Sequence, residues 1–291
     1  MNAESDRAAA LRGIGWMVLA AIGYSVNAGL VKQLSGALNP METVFWRTVV
    51  GVAFLLPWMM ARKGGGRRFP MQRLPLFLLR GVLTYLAMLT TYYALAHIAI
   101  ADVQALQFSM PLFSILAVVL VLHERAGTGT WIACFVGFAG TLVILRPGFA
   151  VISLAALAAI ASAALYSVSN LVIKMLARTE DTTTITLYGN VIMLPLALLP
   201  LLFDWRWPGL ASVPWIIALG VFTTLGQWAL ARAISSADAR VVWPFDFLRL
   251  PFTVVIGYVM FSQLPGPWTW VGAVLIFGSA YYVIRREATA S

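Results

Sequence analysis

Ten stretches of predominantly apolar residues, at 12–33, 41–61, 74–96, 101–122, 130–146, 153–175, 183–203, 212–233, 239–262 and 267–285, leave this chain few ways to fold. A bilayer core of about 30 Å is crossed by a helix of about 20 apolar residues. Inside it every backbone polar group must find its partner within the protein. Composition decides between such helices and the core of a large soluble domain. Apolar residues make up 61% of the 291 positions and charged ones 11%, against about 25% charged in a soluble domain. No stretch supplies a charged exterior. The expected fold is all-α: a polytopic membrane protein of ten transmembrane helices.

The net charge of +9 would suit nucleic acid, but its distribution follows membrane topology. With a cytoplasmic N-terminus, fourteen of the twenty Lys and Arg fall in cytoplasmic segments, many of them in the basic connection Arg62 to Arg73 with its Gly64-Gly65-Gly66. Only Lys32, Arg146 and Arg206 fall on the other side. By the positive-inside rule both termini are cytoplasmic, in a bacterial inner membrane. The first run follows Arg7 and Arg12 as a signal peptide's would, but it is too long for an h-region and is read as a retained helix. Most of the eleven Trp lie near run ends, where amphipathic rings favour the headgroup layer.

The chain also repeats itself. Tyr24-Ser25-Val26 is followed eight residues after its tyrosine by Lys32, and Tyr166-Ser167-Val168 by Lys174 at the same distance, an offset of 142. Ala94-Leu95-Ala96 with Asp102 is echoed by Ala229-Leu230-Ala231 with Asp238, and Pro111 by Pro251. The aspartate-to-proline spacing differs by four residues, so an extra helical turn is expected in the second copy. A duplicated unit of five spans, divided at 1–148 and 149–291, enters the membrane from opposite faces and forms an inverted pair, the geometric basis of alternating access.

Several short motifs then come in order: Asn39-Pro40 with Phe45-Trp46-Arg47, Tyr92-Tyr93-Ala94-Leu95, Ser109-Met110-Pro111-Leu112-Phe113, and His123-Glu124-Arg125. Together they resemble the drug/metabolite transporter superfamily in its ten-helix form with two EamA-type repeats, over nearly the whole chain. The second half departs where Ser262-Gln263-Leu264 stands in place of the glutamate that Glu124 preserves. Arg80-Gly81 and Pro244-Phe245-Asp246 with Arg249 look like a branch that includes S-adenosylmethionine, riboflavin and organic-anion carriers. The resemblance implies secondary transport and leaves the substrate open. Small proton-coupled relatives use a glutamate in their first helix, and the first run here has no acid, so that residue does not carry over.

Charged groups inside a membrane span are functional candidates by default. Asp246 lies eight residues past Asp238, about 12 Å along a helix, and Arg249 follows three residues later on the same face. Two readings are open: the pair neutralises itself and locks run 9 against run 2, or it meets substrate or a proton. Arg47 and Arg80 each sit about six residues into their runs; they either snorkel to the headgroups or present guanidinium forks to a carboxylate. Three such arginines against one deep aspartate favour an anionic or zwitterionic substrate. Tyr24, Asn27, Tyr166, Asn170, Gln104, Gln107, Gln227 and Trp243 are expected to complete the cavity, with Asn and Gln also able to serve as interhelical hydrogen-bond partners. Tyr92, Tyr93, Tyr281 and Tyr282 read as interfacial belt residues.

No P-loop or dinucleotide fingerprint occurs, and two histidines with one cysteine, Cys134, give a metal or nucleotide cofactor no support. Serines lack a plausible histidine and acid partner set, which argues against hydrolysis. The expected function is therefore a secondary transporter for a small metabolite such as an amino acid, working in a lipid bilayer with no nucleic-acid partner. Proton coupling, exchange and facilitated diffusion are all open, as are monomer and homodimer. The runners-up are a carrier of a larger metabolite such as S-adenosylmethionine or riboflavin, and a membrane-embedded enzyme acting on a lipid-linked substrate.

Overall fold

The computed structural model describes residues 3–61, 73–110, 112–114, 116–117, 128–145, 153–176, 179–180, 182–203, 205, 207–236 and 243–290. Among them are ten α-helices and no strand: α1 (Ala3–Leu34), α2 (Pro40–Ala61), α3 (Leu74–His97), α4 (Ile100–Gln107), α5 (Thr128–Leu145), α6 (Leu154–Leu176), α7 (Thr182–Leu201), α8 (Val213–Ser236), α9 (Arg249–Phe261) and α10 (Pro267–Ala290). Each falls on one of the ten apolar runs. By length and hydropathy alone, four described segments are able to cross a membrane unaided: Leu11–Leu34, Leu74–His97, Leu154–Ile173 and Leu210–Leu230. The basic connection, Glu124, Pro111 and Asp238 lie outside the described residues.

The helix boundaries have local chemical causes. Asn39 caps α2: its Oδ1 accepts from the Glu42 amide at 2.9 Å, and Glu42 Oε2 accepts from the Asn39 amide at 2.9 Å. Pro40 takes the first helical position, where its missing N–H costs nothing. Proline likewise opens α3 and α10. At the far end of α9, Ser262 adopts the left-handed conformation (φ 52°), and its amide and that of Gln263 close back onto Tyr258 and Gly257.

Small residues decide which helices meet, because in lipid they let backbones approach where hydrophobicity cannot discriminate. A Cβ on Gly23 of α1 would lie 3.1 Å from the Cα of Gly226 in α8. A Cβ on Gly140 of α5 would lie 2.8 Å from the Gly272 carbonyl oxygen of α10. The most extensive contacts accordingly join α1 to α8, α3 to α6, and α5 to α10. With the next-ranked contacts these define two four-helix bundles: α1, α2, α8 and α9 in one, and α3, α4, α6 and α7 in the other. They meet along α2–α7 and α4–α9, with α5 and α10 packed beside α4.

Each bundle takes helices from both sequence halves, and the internal duplication maps one bundle onto the other. Asn27 of α1 donates to Thr223 of α8, and Ser169 of α6 bonds Thr84 of α3 at 2.9 Å. Asn27 and Ser169 are 142 residues apart, Thr84 and Thr223 139. Gly81 of α3 abuts Ile192 of α7, and Gly220 of α8 abuts Val50 of α2, at the same two offsets. The architecture is thus two inverted five-helix repeats that exchange helices. This register corrects one expectation. Ala94 corresponds to Ala233 rather than Ala229, so the Ala-Leu-Ala echo is one helical turn out of step; the extra turn expected before Pro251 falls on residues outside those described.

Candidate functional site

Where the bundles face each other, α4 is interrupted and α9 starts from a tighter turn. A 3-10 turn, Trp243–Leu248, carries Asp246 and gives way to α9 at Arg249. Pro251, in the first turn of α9, lacks a donor that an interior position would need. Opposite, α4 ends at Gln107; the Phe108 amide bonds the carbonyls of Gln104 and Ala105, Ser109 Oγ bonds Leu106 O at 2.6 Å, and helical bonding resumes from Leu112 to Ser109 O. Discontinuous helices are tolerated in a membrane where they line a protein-enclosed cavity.

The charged centre sits on the first bundle. Arg249 Nη2 lies 2.8 Å from Asp246 Oδ1, both side chains being about one-sixth exposed. The same guanidinium carbon stands 4.4 Å from the centre of the Tyr24 ring, a cation–π contact. The helix start is pinned from α1: fully buried Ser25 donates to the Arg249 carbonyl at 3.0 Å and accepts from Thr253 at 3.1 Å. Arg47 enters from α2 and is 6% exposed. Its hydrogen bond among the described residues runs from Nη1 to the Met88 thioether at 3.2 Å, a weak acceptor for a cation.

The second bundle supplies neutral polar groups. Gln107 Nε2 donates to Thr91 at 2.9 Å and Ser162 at 3.0 Å, and Tyr166 of α6 is half-buried. In the first bundle Gln227 is half-buried one helical turn from Thr223, the acceptor of Asn27. The polar contacts thus form separate groups: Asp246 and Arg249 with Tyr24, Asn27 with Thr223, Arg47 with Met88, and Gln107 with Thr91 and Ser162.

The remaining expected residues are placed differently. Gln104 is buried with no partner for Nε2, one turn along α4 from the break. Asn170 is exposed one turn beyond Tyr166, with Nδ2 3.5 Å from Met110 Sδ. Arg80 is not at the centre: it lies eight residues, about 12 Å along α3, from Met88. Its Nη1 donates to the Ile185 carbonyl of α7 at 2.7 Å, and its guanidinium fills the space a side chain at Gly189 would take. The Trp243 side chain lies outside the described residues.

Tyr92 corrects the belt reading, being buried at 4% exposure, whereas the ring of its neighbour Tyr93 packs on His97 at the helix end with ring centres 4.2 Å apart. The signal was available: Thr84, Met88, Thr91, Tyr92 and Leu95 recur at helical spacing on one face of α3. Thr223 and Ser25 carried no comparable signal, since a hydroxyl in a membrane helix ordinarily back-bonds its own turn.

An apolar multi-span exterior, an interrupted α4 and buried polar side chains in both symmetry-related bundles are the features of a membrane transporter of small molecules. The chain belongs to the EamA-like transporter family, whose pattern it matches twice, at residues 11–146 and 153–285. It is 32% identical to a riboflavin transporter of Rhizobium johnstonii, over 96% of this chain and 92% of the relative. It is also 32% identical to a pseudopaline exporter of Pseudomonas aeruginosa, over 94% and 96%, and 25% identical to an S-adenosylmethionine uptake transporter of Rickettsia bellii, over 96% and 95%. A protein of known crystal structure shares the fold at a TM-score of 0.63 and 18% identity, with 97% of this chain and 99% of that one aligned. The protein is accordingly a multi-pass small-metabolite transporter and not an enzyme.

Proposed function

We propose that the protein is a secondary transporter of the bacterial inner membrane that carries a zwitterionic or anionic organic metabolite, of amino-acid or related type, by alternating access. The observation that carries this reading is Arg47. A guanidinium buried at 6% exposure with a thioether for its acceptor is costly in a bilayer. A substrate carboxylate would relieve that cost through paired charge-assisted hydrogen bonds. The Asp246–Arg249 pair supplies an acceptor for a substrate amine beside it. The amide end of α9, with its partial positive charge, favours the same anion.

The moving parts would be the two bundles, and the repeat division at 148/149 supplies their symmetry. With both termini cytoplasmic, as the charge bias favours, the end bearing Lys32 faces outward. There Lys32 Nζ donates to the carbonyls of Leu95 at 3.0 Å and Ile98 at 2.6 Å, and Thr269 donates to Asp102 at 2.7 Å. These bonds suit a closed outer gate.

A second reading has its own support. The Tyr24 ring that faces the Arg249 guanidinium also suits stacking on a planar ring, and relatives from Rhizobium johnstonii and Vibrio cholerae at 32% and 30% identity are named riboflavin transporters. Purified protein in liposomes separates the two. Saturable uptake and counterflow of a carboxylate-bearing metabolite, lost when the carboxylate is amidated, is the expected result. Riboflavin uptake alone would select the second reading, and flux that neither saturates nor shows counterflow would exclude both.

A further inference from the structure

A cavity of about 220 Å³ lies between the end of α4, the turn into α9 and the side of α10. Its inner wall is Phe108 and Leu250, 7% and 8% exposed, with Phe247 of the 3-10 turn. Phe247 packs on Phe108 with ring centres 4.8 Å apart and stands edge-on to Phe277 of α10 at 4.1 Å. The mouth is formed by Trp270, Val274 and Phe277, which are 44%, 67% and 36% exposed. The indole N–H of Trp270 is the one side-chain polar group in the lining.

Depth decides what reaches this mouth. Leu250 lies eleven residues before the end of α9 at Phe261, about 16 Å along the axis, and Phe277 ten residues after the start of α10 at Pro267, about 15 Å. Those two helix ends adjoin, and half of a hydrocarbon core of about 30 Å is about 15 Å. The mouth therefore opens near the middle of the bilayer, continuous with the lipid-facing surface that Val255 and Val259 of α9 extend. Neither water nor a headgroup lies at that depth. A whole metabolite is a poor fit, because pockets for small molecules run to about 300–1,000 Å³ and set several polar groups around the ligand. We infer that the cavity is a binding site for the methyl end of a bilayer lipid's acyl chain, inserted from the side. Left empty, its aromatic walls would forfeit their dispersion contacts. Phe247 follows Asp246 in the chain, and the two bundles meet along α4 and α9. The inserted chain thus closes the seam beside the charged pair from the lipid side. The site is independent of the metabolite carried.

The test uses the full-length protein in phosphatidylcholine vesicles that contain a small fraction of the same lipid with a diazirine toward the methyl end of one acyl chain. After irradiation, adducts are mapped by peptide mass spectrometry. A chain that only slides over the outer surface labels Phe135 of α5, which is 71% exposed, and does not reach Phe108 or Leu250. The expected result is adducts on Phe108 and Leu250 at a level comparable to Phe135. Val274→Trp places a large ring at the mouth, on a side chain exposed enough to leave the core undisturbed. It should lower labelling of Phe108 and Leu250 several-fold, with labelling of Phe135 and the thermal midpoint unchanged. Adducts confined to exposed side chains, or labelling of Phe108 that Val274→Trp does not lower, would overturn the inference.

Discussion

At the residue scale the site divides into charges that could be anticipated and neutral partners that could not. Arg47, Asp246 and Arg249 stand out in any membrane span because desolvating a charge is expensive; Asp246 and Arg249 pair with each other, and Arg47 is buried against Met88. Arg80 was equally conspicuous, and its length lets it bond the Ile185 carbonyl of α7. Which of these two fates an arginine takes depends on the neighbouring helix, and Gly189 happens to offer room. If Arg47 binds a substrate carboxylate, Arg47→Gln removes a charge-assisted contact of about 1.5–3 kcal/mol, and the apparent KM should rise by about 10- to 100-fold. Competition assays in proteoliposomes would read this directly. Asp246→Asn keeps the shape of the side chain while removing its charge. Transport should fall to the level of empty liposomes while the thermal midpoint and elution profile stay unchanged. Unimpaired transport, or loss of the folded protein, would instead mark the Asp246–Arg249 pair as structural.

At the element scale, helix identity and extent were legible because apolar length and proline placement are local properties. Asn39, Pro40 and Glu42 together spell the start of α2 in the sequence itself. Two things were not legible at this scale: the break in α4 with the tight turn that leads into α9, and the register between repeats. A proline says where a helix is able to break without saying that it will, and short Ala-Leu-Ala matches recur by chance one turn apart. The contacts of Gly81 with Ile192 and Gly220 with Val50 fix the register because each glycine leaves room for a branched side chain of the facing helix, and the two pairs are related by the same offsets as Asn27–Thr223 and Ser169–Thr84. Gly189→Ala places a methyl group on the Arg80 guanidinium and should destabilise the protein by about 1–3 kcal/mol, seen as a lower thermal midpoint in detergent. Arg80→Ala in the same chain should recover most of the loss, and a double-mutant cycle would measure the coupling. Additive losses would mean that the two residues do not meet.

At the scale of the whole molecule, the two sequence halves are not the two packing halves. If the hybrid bundles move as bodies, a cross-link within one should be tolerated and a cross-link between them should not. In a Cys134→Ser background, Thr84→Cys with Ser169→Cys joins α3 to α6 inside one bundle, whereas Ile100→Cys with Gly257→Cys joins α4 to α9 across the seam, where a Cβ on Gly257 would lie 3.1 Å from Ile100. Short bifunctional reagents should spare transport in the first pair and stop it in the second, with recovery when a cleavable linker is reduced. Inhibition by both would show that the bundles are not rigid bodies. A fluorescent reporter fused to the C-terminus should light up in the cytoplasm if the charge bias reads topology correctly, and a periplasm-dependent phosphatase fusion should stay inactive. Ten helices, a membrane setting and a duplicated five-helix unit follow from the sequence alone, because hydrophobic length, charge asymmetry and repetition are written along one dimension. The exchange of helices between halves, the recruitment of Tyr92 and Thr223, and the exclusion of Arg80 from the centre were decided only by tertiary packing. In hydrocarbon every apolar helix face is equally content against lipid, so partners are chosen by where small residues and buried hydroxyls meet in three dimensions.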